Sequence, residues 1–65
     1  MKFSDRLAEI MKVHGESNYK LAKDIECSQS SVGNWLRGVM PTKVMLKTIA
    51  THYGMTLEQL MRGVD

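Results

Sequence analysis

The stretch from Ser17 to Gly38 constrains the fold more than any other part of the chain. Its apolar spacing reads as two short amphipathic helices joined by a tight turn. In the first, Leu21 and Ala22 face inward, with Ile25 one turn further on. The second opens on small polar side chains, Ser28, Gln29, Ser30 and Ser31, while Val32, Trp35 and Leu36 recur at the spacing of a buried stripe. Such a helix holds Ser28, Gln29, Ser30 and Asn34 outward on a rigid mount.

The flanking sequence extends the helical pattern in both directions, and an all-α chain of five helices is predicted. The first runs from about Ser4, a good N-cap, to His14, with Leu7, Ile10, Met11 and Phe3 on one stripe and Gly15 as the stop. Ser17 caps the second and Ser28 the third, which ends near Gly38 after Arg37. Val39-Met40-Pro41 is a short loop. Thr42 caps a fourth helix that buries Leu46, Ile49, Ala50 and Tyr53 and closes at Gly54. Thr56-Leu57-Glu58-Gln59 is a capping box for a short last helix, with Leu57, Leu60 and Met61 apolar. Nowhere do β-branched residues alternate with the period of two that a strand needs. No repeat, linker or low-complexity tract interrupts the pattern, so residues 1–65 are predicted to form one domain. Met1 and the short tail Gly63-Val64-Asp65 suit a complete chain, although one piece of a longer protein would also fit.

At 65 residues the chain is near the lower limit for a self-sufficient core. Cys27 is its one cysteine, so no internal disulfide forms. Cys27, His14 and His52 lack the spacing of a zinc cluster. Stability must come from apolar packing. Neither a membrane span nor a secretory signal is visible, and a reducing, cytoplasmic setting is expected.

A net charge of +2 is too mild to establish a nucleic-acid binder, but the charges are unevenly placed. Carboxylates occur at Asp5, Glu9, Glu16, Asp24 and Glu26 and then stop until Glu58. Between them stand Arg37, Lys43 and Lys47, a segment that can meet a phosphate backbone without like-charge repulsion. The same segment could equally be ordinary solvated surface. With polar groups carried rigidly on the third helix, the layout is that of a helix-turn-helix reader of duplex DNA.

These blocks resemble the Cro and repressor type of helix-turn-helix domain of bacteria and their phages, the XRE family. Leu21-Ala22, Cys27 to Val32 and Trp35-Leu36-Arg37-Gly38 look like its second and third helices. Ile49-Ala50, Tyr53-Gly54-Met55-Thr56 and Leu60 look like its closing helices, so the likeness spans Phe3 to Gly63. The resemblance implies a compact five-helix, lambda-repressor-like domain that inserts helix three into the major groove. Carried over position by position, it places base reading on Gln29, Ser30 and Asn34, with Ser28 at the edge of reach, and phosphate contacts on Asn18, Arg37 and Lys43. It also implies pairing through the end of the chain, for which Val44, Leu57 and Met61 are the candidates, as a weak homodimer consolidated on DNA. No cofactor, metal, membrane or small-molecule ligand is expected.

The chain departs from the family pattern in three places. Glu26 stands where the turn normally has glycine, which implies a left-handed conformation for a bulky acid. Val39-Met40-Pro41 is uncharged where relatives are often basic. Gly33 lies inside the recognition helix at a cost of roughly 1 kcal/mol relative to alanine. His14 and His52 have no nucleophile or carboxylate at a catalytic spacing, and no enzymatic activity is expected. Cys27 fits a core thiol better than a reactive one. Trp35 fits the core, its indole nitrogen expected to reach a backbone carbonyl, better than an exposed stacking platform. The six methionines read mainly as core filler, with Met40 and Met45 a possible adhesive surface. Two functions stay open: a sequence-specific transcriptional regulator acting by operator occupancy, or an antitoxin-like protein-interaction module on the same fold.

Overall fold

In the computed structural model, which describes residues 1–65, five helices follow one another: α1 (Phe3–His14), α2 (Asn18–Asp24), α3 (Gln29–Leu36), α4 (Lys43–His52) and α5 (Leu57–Leu60). Each inserts one fully buried aliphatic side chain into a common core: Leu7, Leu21, Val32, Ile49 and Leu60 in chain order. Around them pack Phe3, Ile10, Met11, Ala22, Ile25, Trp35, Ala50 and Tyr53. No charged residue is fully buried, so the core is held by apolar burial alone. α3 lies against α1 and α2, and α4 against α5.

The helix starts follow from hydroxyl capping. Ser17, Ser28, Thr42 and Thr56 have extended backbones, and each side-chain oxygen accepts the backbone N–H three residues on. Gln59 completes the capping box of α5, its Oε1 accepting from the Thr56 N–H at 2.9 Å. α1 corrects the sequence reading, since Ser4 lies inside the helix and Lys2 occupies the cap position without a side-chain bond. The start is drawn back because Phe3 is buried and the preceding Met1 is tied to the other end of the chain. The Met1 amine donates to Gly63 O at 2.8 Å, and the Asp65 N–H donates to Met1 O at 3.1 Å.

One motif ends four of the helices. After α1, Gly15 N–H donates to Lys12 O and Glu16 N–H to Met11 O. The same pair of bonds recurs around Glu26, Gly38 and Gly54. The motif needs a left-handed residue at its centre, and Glu26 adopts it at φ 57°, the sole non-glycine in the chain with positive φ. The expected left-handed turn at Glu26 is therefore present.

α5 is only four residues long, and α1 holds it in place. Arg6 Nε donates to Leu60 O at 3.1 Å and Arg6 Nη2 to Gln59 O at 2.8 Å. The guanidinium thereby satisfies carbonyls that a helix end leaves open.

Candidate nucleic-acid interface

α3 divides into two faces. Val32 is fully buried and Trp35 nearly so, with Leu36 half-buried, so this stripe anchors the helix. Trp35 is a core residue as expected, but its indole nitrogen does not bond a carbonyl; Tyr53 Oη is the one buried side-chain N or O atom lacking a partner. Ser28, Gln29, Ser30 and Asn34 are all exposed.

These four differ in what they have left to offer. Ser28 Oγ accepts from the Ser31 N–H at 3.1 Å and shares a hydrogen bond with Ser31 Oγ at 3.0 Å, so its hydroxyl is committed to the cap. Asn34 Oδ1 accepts from Arg37 Nη2 at 2.7 Å, leaving the amide NH₂ to donate. No such bond engages Gln29 or Ser30, which stand free in the first turn.

Gly33 explains how Arg37 reaches Asn34. A Cβ at position 33 would lie 3.3 Å from Arg37 Nη1 and 3.5 Å from Nη2. The guanidinium therefore rests on the bare backbone of α3. The close approach that this glycine permits is made by the protein's own arginine. Asn34 and Arg37, read separately from the sequence, form one polar unit, and a side chain three residues away gave no sequence signal of that pairing beyond the glycine itself.

The other expected contact residues lie at helix ends. Asn18 is the first residue of α2, Arg37 the C-cap of α3, and Lys43 the first residue of α4, all exposed. Helix N-termini add unpaired amides at Asn18 and Lys43. Val39 and Met40 are exposed in the uncharged loop between Arg37 and Lys43, whereas Pro41 is buried. Of the pairing candidates, Val44 is 72% exposed, while Leu57 and Met61 are half-buried against the core. Met45 packs there too, which removes it from the adhesive surface considered above. Cys27 is half-buried, its Sγ 3.6 Å from Ser28 O, and burial pushes its thiol up from the ordinary range.

The family model of the Cro/C1-type HTH DNA-binding domain matches residues 6–65. The chain belongs to this family. No curated protein matches the sequence. As a Cro/C1-type domain it is a DNA-binding domain, with α2 and α3 as its helix-turn-helix. No helix is long and apolar enough to cross a membrane.

Sequence reasoning missed a second polar cluster of this Cro/C1-type domain. His52, at the end of α4, lies 2.5 Å from Glu16 Oε1 and 3.9 Å from Asp24 Oδ2, so the histidine does have carboxylate partners. Lys20 Nζ donates to Asp24 Oδ2 at 2.7 Å, and this bond raises the lysine's pKa and lowers the aspartate's. Tyr53 sits behind them between the rings of His14 and His52, each with its centroid 4.7 Å away. Burial, with the Glu16 charge alongside, holds its phenol well above the ordinary range. Glu16 and His52 are 36 positions apart, a separation that no local motif encodes.

Proposed function

We propose that this domain is a sequence-specific transcriptional regulator that lays α3 in the major groove of an operator half-site. The observation that carries the reading is the division of α3, in which Val32 and Trp35 fix the helix while Gln29, Ser30 and Asn34 face outward. Gln29 has the free amide that can donate and accept together, the match for adenine N7 and N6. Asn34 and Arg37 act together: the guanidinium holds Asn34 Oδ1 while facing a phosphate, which leaves the Asn34 NH₂ to donate to a base edge. Ser28 contributes at the edge, mainly by holding the helix start. Asn18, Arg37 and Lys43 contact phosphates and supply affinity without sequence preference. The domain acts by occupancy rather than catalysis and requires no cofactor.

One recognition helix reads only a few base pairs, so selectivity calls for two copies on half-sites one helical turn apart, about 34 Å. Val44 is the most exposed of the pairing candidates. With Leu57 and Met61 partly committed to the core, the dimer is weak in solution and consolidated by DNA.

Selection of bound sequences from a random duplex pool tests the proposal. Enrichment of a two-fold symmetric consensus is the expected result, and a pool that stays random overturns it. Exposed Val39, Met40 and Val44 also suit a second reading, an antitoxin-like protein-interaction module with secondary DNA binding. That reading gains if no consensus emerges.

A further inference from the structure

Glu16, Asp24 and His52 come from three separate parts of the chain: the α1–α2 connection, the last residue of α2 and the last residue of α4. One ligand atom from each lies within 4.8 Å of the others. Their side chains differ in exposure, Glu16 at 9%, His52 at 23% and Asp24 at 28%, so the group forms the wall of a cleft with one open side. Tyr53 lines the same cleft. It is nine-tenths buried, its hydroxyl makes no hydrogen bond of good geometry, and the Glu16 carboxylate lies alongside it. A buried hydroxyl left without a good partner is costly, which favours a polar occupant beside it.

We propose that Glu16, Asp24 and His52 bind a divalent first-row transition-metal ion, with Tyr53 Oη hydrogen-bonding a carboxylate or a water on that ion. One imidazole and two carboxylates form a mixed nitrogen and oxygen set suited to zinc and its neighbours, whereas calcium and magnesium prefer oxygen alone. The charges balance, because two carboxylates and a neutral imidazole neutralise a doubly charged ion. Ligand atoms at tetrahedral corners about 2.0–2.2 Å from zinc stand roughly 3.3–3.6 Å apart. The Glu16–His52 edge must therefore open and the two edges to Asp24 close, by shifts of up to about 1.5 Å. Open space on the cleft side leaves the fourth position to water.

Lys20 is the built-in competitor. Its ammonium sits on Asp24 Oδ2, the atom the metal needs, but its side chain is 59% exposed and free to swing into solvent. The bound ion would join the end of α2 to the end of α4, on either side of α3 in the chain.

The test is a titration of the intact protein with Zn²⁺ by calorimetry, and with Co²⁺ by visible absorption. Saturation at one equivalent is expected, with a tetrahedral or five-coordinate Co²⁺ spectrum free of the thiolate charge-transfer band that a Cys27 complex would show. His52→Ala and Asp24→Asn should each weaken binding by at least about tenfold, the loss typical even for outer partners of a metal site. Lys20→Ala alters an exposed side chain and should tighten binding several-fold, so it keeps the proposal testable if a ligand variant fails to fold. Absence of saturable binding overturns the proposal, as does binding that Asp24→Asn leaves undiminished or that Lys20→Ala does not tighten.

Discussion

At φ 57° the backbone of Glu26 carries a Cβ where the three equivalent helix ends have glycine. The left-handed region costs an L-residue about 1–2 kcal/mol, while glycine loses more backbone entropy on folding, by roughly 0.5–1 kcal/mol. Glu26→Gly should therefore stabilise the domain modestly, on the order of 0.5 kcal/mol. Glu26→Ala, which removes the charge but keeps Cβ, should not. Denaturant melts of the three proteins make the comparison, and an alanine variant as stable as the glycine one would contradict it. Gly33 gives the opposite lesson. Gly33→Ala gains helix propensity worth up to about 1 kcal/mol, and the three atoms nearest the new Cβ all belong to the exposed Arg37. The guanidinium must give way by a few tenths of an ångström, which disturbs its bond to Asn34. Higher stability together with weaker DNA binding is the expected pair of results; unchanged DNA binding would detach the Asn34–Arg37 unit from recognition.

The elements were legible where their signals are short. Ser17, Ser28, Thr42 and Thr56 each cap through a bond spanning three residues, and the helix stops act within one turn, so inspection of the sequence finds both. Ser4 misled because a serine before an apolar stripe looks the same whether it caps a helix or sits inside one; burial of Phe3 decided the start. The candidate interface was legible for a related reason, since which side of α3 is exposed follows from its own periodicity. Arg6 was invisible as a structural residue, because its partners are the backbone carbonyls of Gln59 and Leu60 at the far end of the chain. Its role sets an expectation at this scale. Hydrogen bonds from a charged donor contribute about 1.5–3 kcal/mol when part-buried, so Arg6→Ala should destabilise the domain by about 1–2 kcal/mol, allowing for the exposed half of the contact. Amide exchange should show α5 opening before α1–α3. Equal protection of α5 in the variant and the wild type would refute that role.

For the whole molecule, five aliphatic side chains, one from each helix, share a core within an envelope of 26 × 23 × 23 Å. A body this small presents one candidate recognition helix, and the proposed selectivity rests on pairing two copies. Footprinting on the selected operator should protect two half-sites with two proteins per duplex, and one protein on one half-site would rule out the pairing. The central claim is that the exposed face of α3 reads sequence. It is tested most directly by measuring, at one moderate salt concentration, the affinities of wild type, Gln29→Ala and Lys43→Ala for the selected duplex, its single-base variants and a scrambled duplex. Wild type should prefer the selected duplex by a factor on the order of 10³ or more. Gln29→Ala should lose about 1–3 kcal/mol of discrimination at one or two base positions, and Lys43→Ala should weaken every duplex alike and flatten the salt dependence. Equal binding of selected and scrambled duplexes by the wild-type protein, or a Gln29→Ala profile identical to wild type at every position, would contradict it.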